Sequence, residues 1–319
     1  MKIVFMGTPD FSVGVLEHII AAGHTVTAVV TQPDKPKGRS KELQMSPVKE
    51  CALKHNLTVF QPERIKRPEA VAELRKFEAD IFVVVAFGQI ISKEILEMPR
   101  LGCVNIHASL LPKYRGAAPI QYAVINGDQT TGVTIMQMDE GVDTGDILLQ
   151  REIPITGTDT GESMFDKLAV LGAELIVEAL PLIEQGKLTP VKQDENLATH
   201  VGMIPKEMGK INWNDSADRI EHLVRGLNSW PSAFTRWNGK QLKIWKSEIA
   251  ADTDNTETAD ADNAVEPGTI INVEKDSFSV QTGLGSLKLL EVQLEGKKRV
   301  SVKDFLLGYK LENGMKLGE

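Results

Sequence analysis

The sequence predicts a doubly wound α/β domain followed by a small antiparallel β-barrel. In the first part, short and nearly continuous apolar strands alternate with helical segments, which is typical of a mostly parallel sheet covered on both faces. Further along, short strands are separated by Asn-Gly, Lys-Asp and other Gly-containing turns, which is typical of a small barrel. We therefore expect an α/β domain over residues 1–189, a polar linker over 190–206 and the barrel over 207–319.

Length and composition agree with two globular domains. The chain has 319 residues, of which 42% are hydrophobic and 25% charged. The two cysteines cannot form a disulfide scaffold, and no CxxC pattern or Cys/His spacing indicates zinc. The N-terminal apolar run is too short for a signal peptide, and no run approaches a membrane span, so we expect a cytoplasmic protein with no membrane partner. The net charge of −8 argues only weakly against nucleic acid, because it can conceal a local basic patch.

The N-terminal strand–turn–helix is the first element. A strand over residues 2–7 ends in a Gly-Thr-Pro-Asp turn, and the following helix ends near Ala22 with Gly23 as its stop. The turn lacks the Gly-x-Gly-x-x-Gly pattern of dinucleotide-binding proteins. We interpret it as a plain strand-to-helix turn with Asp10 at the helix N-cap.

The remaining elements of the α/β domain place several polar residues at strand ends. We predict strands over 25–32, 80–88, 102–108 and 131–139, and helices over 46–55, 68–77 and 159–187. In such sheets ligands bind beyond the carboxyl ends of the parallel strands. Gly88, His107 and Asp139 stand at three of these ends and indicate where a site would form.

An amide and an imidazole interrupt the strand "CVNIH". Side chains alternate along a strand, so Asn105 and His107 share one face while Val104 and Ile106 point to the other. Asn is depleted in strands, and a neighbouring His makes simple packing less satisfactory as an explanation. The pattern alone leaves both a structural and a catalytic role open for His107.

The stretch "MDEGVDTGDIL" (138–148) follows another strand and carries four acidic residues among glycines. Its spacing does not fit a calcium loop, which needs ligands at alternating positions and a terminal Glu. A glycine-flexed loop here could present one carboxylate to the His of a neighbouring strand, orienting the imidazole and favouring its charged form. A solvated turn is the alternative.

Two charge runs also stand out. Lys35, Lys37, Arg39 and Lys41 alternate around a Gly, and an anionic partner would relieve their self-repulsion, although a solvated loop has the same composition. The stretch 250–268 holds six acidic and no basic residues and is predicted to be a disordered surface loop.

Taken together, these stretches resemble one enzyme family over essentially the whole chain. The matching segments are "FMGTPDF", "TQPDKPKGR", "SPVK", "VVVAFGQI", "MPRLGCVNIHASLLPKYRGAAPIQ", "TGVTIMQMDEGVDTGDIL", "LNSWPSAF" and "PGTI". They resemble the methionyl-tRNA formyltransferases. The resemblance implies a Rossmann-like domain followed by an OB-like barrel, and the acidic stretch near 250–268 is the main departure from the family pattern.

The resemblance also implies a reaction and its residues. The formyl group of 10-formyltetrahydrofolate would pass to the α-amino group of methionyl initiator tRNA, without a metal or a covalent nucleophile. The implied catalytic residues are Asn105, His107 and Asp143. The implied folate site comprises Ser109, Leu110, Leu111 and Pro112, with Ala86, Gly88 and Asp139. For the tRNA we expect contacts from the barrel and from Lys35, Lys37, Arg39 and Lys41, and we expect the protein to be a monomer.

Other functions would use parts of the same sequence. A formate-releasing hydrolase, or a formyltransferase acting on a nucleotide sugar or on glycinamide ribonucleotide, would need the same three catalytic residues. An RNA-binding module with an inert α/β domain would use the basic loop and the barrel but would not need those residues. A dehydrogenase is disfavoured because the glycine fingerprint is missing.

Overall fold

The computed structural model describes two compact units. It describes residues 1–37, 42–250 and 265–318. The first unit comprises Met1–Pro119, Thr130–Pro154 and Phe165–Gly202, and the second comprises Ile120–Gln129, Ile155–Met164 and Met203–Glu319. Arg39, Lys41 and residues 251–264 of the acidic stretch lie outside the described residues, so the predictions made for them stay predictions.

The first unit is built on a seven-stranded sheet. The strands of this part of the chain are β1 (Lys2–Gly7), β2 (Thr25–Val30), β3 (Lys35–Lys37), β4 (Glu42–Gln44), β5 (Val59–Phe60), β6 (Ile81–Val85), β7 (Cys103–His107), β8 (Arg115–Gly116), β9 (Thr130–Gln137), β10 (Ile147–Pro154) and β11 (His200–Val201). The helices of this part of the chain are α1 (Phe11–Ala21), α2 (Pro47–Lys54), α3 (Pro68–Leu74), α4 (Lys93–Leu96), α5 (Pro119–Ile125) and α6 (Gly161–Glu184), of which α5 after Pro119 and α6 up to Met164 belong to the second unit. The order in the sheet is β10-β9-β7-β6-β1-β2-β5.

Strand direction divides this sheet into two parts. Neighbours from β5 to β7 run parallel, which confirms the mostly parallel α/β sheet. Strand β9, predicted at 131–139, runs antiparallel to β7, and β10, which the sequence pattern did not predict, runs antiparallel to β9. Residues Ile3–Met6 are completely buried, because helices cover both faces of a doubly wound sheet, and this burial accounts for the unbroken apolar run of β1.

Helix ends follow the local sequence. Helix α2 begins with Pro47, and the Ser46 hydroxyl caps it by accepting a hydrogen bond of 3.1 Å from the backbone N–H of Lys49. Asp10 occupies the N-cap position of α1 as predicted, but its side chain makes no capping hydrogen bond. The position was therefore predictable, while the capping interaction was not.

The polar stretch interpreted as a linker makes backbone pairs with the first unit. Val191 and Ile147 exchange two hydrogen bonds, and β11 pairs in parallel with β8. Polar side chains do not prevent such pairing, because it uses only main-chain groups. We retain 1–189, 190–206 and 207–319 as the proposed domain boundaries.

The second unit contains a six-stranded antiparallel sheet. Its elements are α7 (Ala217–Gly226), β12 (Ala233–Trp237), β13 (Lys240–Ile249), β14 (Ile270–Val273), β15 (Phe278–Gln281), β16 (Ser286–Leu294), β17 (Val300–Ser301) and α8 (Val302–Gly308). The order is β12-β13-β16-β15-β14, with β17 on β16. The predicted antiparallel sheet is confirmed, whereas closure into an OB-like barrel stays a prediction, because the described residues show no pairing between β12 and β14. Among the described helices, none is long and apolar enough to cross a membrane.

Candidate active site

Strand β7 places Asn105 at the centre of the sheet. Asn105 is registered between Val84 of β6 and Met136 of β9, and it is the half-buried residue of an otherwise buried strand. Among the described residues, none hydrogen-bonds the Asn105 side-chain amide. A partly exposed amide without a protein partner keeps its N–H groups for another molecule.

His107 lies two residues further along β7 and is held from both sides. Its Nε2 atom lies 2.7 Å from the backbone oxygen of Tyr114. Because a carbonyl oxygen only accepts, Nε2 carries the proton in this arrangement. The Nδ1 atom lies 3.6 Å from Oδ1 of Asp143, an ion-pair separation that is too long for a direct hydrogen bond. The structure thus brings together His107 and the carboxylate that the resemblance implied.

Asp143 is positioned by its own backbone and by a neighbouring turn. Its φ angle of 55° lies in the left-handed region, so the loop bends sharply at this residue. Its Oδ2 atom accepts a 2.8 Å hydrogen bond from the backbone N–H of Gly116. The other carboxylate oxygen, Oδ1, is the one that lies near His107. The His107 side chain is 7% exposed and the Asp143 side chain 15% exposed.

The Ser109–Pro112 turn packs against β9 and β10. The Ser109 hydroxyl donates to the Tyr114 carbonyl at 2.9 Å and accepts from the Tyr114 N–H at 3.1 Å. The Thr134 hydroxyl donates to the Ser109 carbonyl and accepts from the N–H of Leu111. Since the Ser109 hydroxyl is buried and fully engaged, it holds the turn rather than pointing towards solvent.

The four implied folate residues in this turn differ in how exposed they are. Ser109 and Leu111 are buried, whereas Leu110 and Pro112 are half-buried. The half-buried pair is the part of the turn that another molecule can reach.

The ends of β6 and β9 carry the other implied folate residues. Ala86 and Gly88 are exposed and have φ angles of 45° and 80°, while Phe87 between them is buried. The carbonyl of Phe87 accepts hydrogen bonds from the side chains of Thr8 and Gln32. Residues 86 and 88 are therefore accessible to another molecule. Accessible main-chain groups are what the recognition of a planar polar ring requires.

Asp139 has a structural task in its loop. Its Oδ1 atom accepts hydrogen bonds from the backbone N–H of Gly141 at 3.0 Å and from the Thr144 hydroxyl at 2.6 Å. An open pocket of about 410 Å³ borders this residue and is lined by Lys93, Leu96, Glu97, Met138, Asp139, Glu140 and Gly141. Its lining contains neither Asn105 nor His107, the predicted catalytic residues.

The sequence analysis missed a buried cation that supports the Asp143 loop. Arg115 is 1% exposed and donates from Nε to Oε1 of Gln193 at 3.0 Å. The Gln193 amide nitrogen in turn donates to the carbonyls of Asp143 and Gly145, both at 2.8 Å. Gln193 thus connects a rigid buried guanidinium to the loop that carries the carboxylate.

Glu195 completes the environment of Arg115. Its two oxygens accept from the guanidinium at 2.9 and 2.7 Å, a bidentate arrangement. These hydrogen bonds hold the pKa of Glu195 below its usual value and raise that of Arg115. From the sequence, the run "VKQDENL" could be recognised only as a polar stretch, because nothing in its spacing shows that it faces a buried Arg.

The described part of the basic run, Lys35–Lys37, lies in a strand rather than in a loop. We call the paired strands β3 and β4 the β3–β4 hairpin. Strands β3 and β4 pair antiparallel, with Lys35 opposite Gln44 and Pro36 opposite Leu43. Pro36 favours this extended backbone, because its ring fixes φ. Lys35 is exposed, and Lys37 lies in β3.

The base of this hairpin is fixed by polar contacts. Lys49 of α2 forms an ion pair of 2.6 Å with Asp34, and the amide of Gln61 donates to the same carboxylate at 2.7 Å. The hydroxyls of Thr31 and Ser46 lie 2.7 Å apart on the two sides of the segment. The residues next to β3 and β4 in the chain are therefore held in place by these polar contacts.

Comparisons with known proteins identify the family. Residues 1–180 match the formyl transferase family, and residues 203–310 match the formyl transferase C-terminal domain. The chain is 55% identical over 314 residues to the methionyl-tRNA formyltransferase of Agathobacter rectalis, covering 98% of both chains. The chain belongs to the methionyl-tRNA formyltransferase family.

Two further similarities agree with this family. The chain is 54% identical to the methionyl-tRNA formyltransferase of Lachnospira eligens over 100% of both chains. An N-formyltransferase from Helicobacter canadensis, solved with folinic acid and dTDP-3-aminofucose, superposes with a TM-score of 0.66 at 20% identity, covering 94% of this chain and 100% of that one. At that identity the similarity shows the shared fold. Members of the family use folate-derived formyl donors.

Proposed function

We propose that this chain transfers the formyl group of 10-formyltetrahydrofolate to the α-amino group of methionyl initiator tRNA. The observation that carries the proposal is the Asn105–His107–Asp143 arrangement in a chain 55% identical to a curated methionyl-tRNA formyltransferase. We propose further that the protein acts as a cytoplasmic monomer on these two substrates, without a catalytic metal.

The barrier in such a transfer lies in charge development rather than in activation of the nucleophile. An α-amino group has a pKa of about 7.7–8.0, and the ester bond of a charged tRNA next to it lowers this pKa, so a substantial fraction is already neutral near pH 7. What needs stabilising is the negative charge on the formyl oxygen and the departing nitrogen. Donors that are already oriented towards such an oxygen are each worth about a hundred- to a thousand-fold in rate.

Asn105 is the proposed first donor. Its amide has no partner among the described residues, so donating to the formyl oxygen breaks no existing protein hydrogen bond. The outward-facing backbone at Ala86 and Gly88, with Leu110 and Pro112, is the proposed folate-binding surface. The bound folate supplies the formyl group; the surrounding residues supply orientation and charge.

His107 is the proposed second donor and the proton carrier. Its Nε2–H points at the Tyr114 carbonyl, so donation to the formyl oxygen requires the imidazole to exchange that acceptor for the substrate. The Asp143 carboxylate, 3.6 Å from Nδ1, would orient the imidazole in the site. Through a water molecule, the same pair would move a proton from the attacking amine to the departing nitrogen.

For the tRNA, we propose the β3–β4 hairpin and the second unit as contact surfaces. Lys35, Lys37, Arg39 and Lys41 would contact phosphates, while the anchored base at Asp34 and Lys49 would fix the direction of the hairpin.

An acceptor comparison tests the proposed function. Purified full-length protein is supplied with labelled 10-formyltetrahydrofolate and with methionyl initiator tRNA, uncharged initiator tRNA or water as acceptor. We expect formylation of the charged tRNA only. Formate release at an equal rate without charged tRNA would show a hydrolase instead, and no turnover with any of the three would refute the proposal.

A further inference from the structure

Helices α1 and α2 bring together three side chains that the reaction does not use. Glu17 lies on α1, Cys51 on α2, and His55 at the C-cap of α2. One carboxylate oxygen, the thiol sulfur and one ring nitrogen all lie within 4.8 Å of one another. Cys51 and His55 are four residues apart, so their side chains lie on the same face of one helical turn.

Thiolate, imidazole and carboxylate are the ligand types that zinc takes in proteins. Zinc binds sulfur at about 2.3 Å and nitrogen or oxygen at about 2.0–2.2 Å, which places tetrahedral ligand atoms about 3.3–3.8 Å apart. The Cys51 sulfur and Oε1 of Glu17 are already 3.9 Å apart. Small side-chain rotations therefore bring the three atoms to coordinating distance.

We propose that Glu17, Cys51 and His55 bind zinc or a similar borderline divalent cation, with water as the fourth ligand. Exposure agrees with this assignment. The sulfur belongs to a residue that is 3% exposed, whereas Glu17 and His55 are both exposed, so an ion would reach the thiol from solvent between these two exposed side chains. Three protein ligands leave one position open for the water.

Electrostatics determine how the site loads. Burial, with a smaller contribution from the Glu17 carboxylate, raises the pKa of the Cys51 thiol, while the nearby Lys54 acts in the opposite direction. On binding, the thiol releases its proton to solvent and the sulfur lone pair forms the bond to the metal. His55 binds through a neutral ring nitrogen. Binding therefore releases protons, and the affinity increases with pH.

The bound ion links two helices next to the tRNA-binding hairpin proposed above. Helix α2 begins three residues after β4 ends. A metal ion bound to both α1 and α2 would therefore stabilise α2, the helix that follows the hairpin strands most closely in the chain. The sequence alone gave no indication of the site, because the spacing Cys51-x-x-x-His55 is not a zinc motif and the third ligand comes from 34 residues upstream.

Titration of the full-length protein with Co²⁺ under a non-thiol reductant tests the assignment. We expect a thiolate-to-cobalt charge-transfer band that saturates at one equivalent and disappears when Zn²⁺ is added. We also expect Zn²⁺ to raise the melting temperature. Absence of a thiolate band at saturating Co²⁺ would overturn the proposal.

Matched variants assign the ligands. Cys51→Ser should abolish the band, and Cys103→Ser should retain it, since Cys103 is a completely buried thiol with a pKa raised to about 12. Because Cys51 is buried and its replacement could disturb folding, exposed His55→Ala provides a second test. It should weaken Co²⁺ binding at least ten-fold, while His18→Ala on α1 should not. A band that survives in Cys51→Ser, or unchanged affinity in His55→Ala, would refute the site.

Discussion

His107 and Asp143 lie 3.6 Å apart, from Nδ1 to Oδ1, while the other side of each group is already bound to backbone. The imidazole Nε2 donates to the Tyr114 carbonyl, and the second carboxylate oxygen accepts from the Gly116 N–H. Both groups are thus oriented before any substrate arrives. The carboxylate therefore needs no reorganisation during the reaction, whereas the imidazole must first exchange the Tyr114 carbonyl for the formyl oxygen.

The first prediction concerns the negative charge of the Asp143 carboxylate. Asp143→Asn keeps an oxygen that can accept from Gly116 but removes the negative charge next to the imidazole. We expect kcat to fall at least about a hundred-fold with folding retained. Steady-state kinetics with circular dichroism provide the measurement. Asp146→Asn, a change to another carboxylate of the same loop, is the control, and near-normal turnover in Asp143→Asn would contradict the assigned role.

The hydroxyl of Ser109 competes with His107 for one acceptor. Both groups donate to the Tyr114 carbonyl, at 2.9 and 2.7 Å. Ser109→Ala removes one of the donors to this oxygen, so the imidazole is held more tightly away from the formyl oxygen. We expect kcat to fall about five-fold, the equivalent of one hydrogen bond of about 1 kcal/mol.

Thr134→Val is the comparison for Ser109→Ala. It removes a hydroxyl of β9 that hydrogen-bonds to the same turn, without altering the donors to the Tyr114 carbonyl, and so separates a loosened turn from an effect on His107. We expect the smaller loss of kcat in Thr134→Val. Equal losses in the two variants would show that Ser109 acts only through the turn.

Gln193 connects Arg115 to the Asp143 loop, and its removal should misplace the carboxylate. We expect Gln193→Ala to lower kcat about ten-fold while the KM for the folate changes little, since a small displacement of a catalytic group is costly. The measurement is kcat and KM determined separately for each substrate. Lys192→Ala, the exposed neighbour, should behave like the unchanged protein. Equal kcat values in Gln193→Ala and Lys192→Ala would exclude the positioning role.

Much of this architecture could be predicted from the sequence. The apolar runs of β1, β6 and β7 located the sheet, and side-chain alternation placed Asn105 and His107 together, because both features are local. Strand direction was less accessible. An apolar run reads the same in both directions, so the antiparallel course of β9 was not predicted, and β10 was missed because all of its residues are exposed or only partly buried.

The supporting residues could not be predicted for a different reason. Gln193 and Glu195 lie 78 and 80 residues after Arg115 along the chain. Their importance depends on contacts that no local pattern encodes. Likewise, the engagement of Nε2 by the Tyr114 carbonyl is set by the shape of the turn after β7.

The charges of the basic run Lys35, Lys37, Arg39 and Lys41 should act on phosphates. Replacing Lys37, Arg39 and Lys41 together with Ala should raise the KM for tRNA and reduce the slope of log K against log salt by about two units. Folate affinity should not change. Binding measured at several salt concentrations provides the test, with Lys54→Ala, Lys76→Ala and Lys93→Ala combined as a charge-matched control. An unchanged slope would indicate a solvated hairpin with no tRNA contact.

The central claim is that His107 contributes directly to formyl transfer. Single-turnover transfer from 10-formyltetrahydrofolate to methionyl initiator tRNA, compared between the unchanged protein and His107→Ala, tests it most directly. We predict a rate at least about a hundred-fold lower in the variant, with folding and tRNA affinity retained and with His18→Ala unaffected. A folded His107→Ala protein that transfers the formyl group at a near-normal rate would contradict the account.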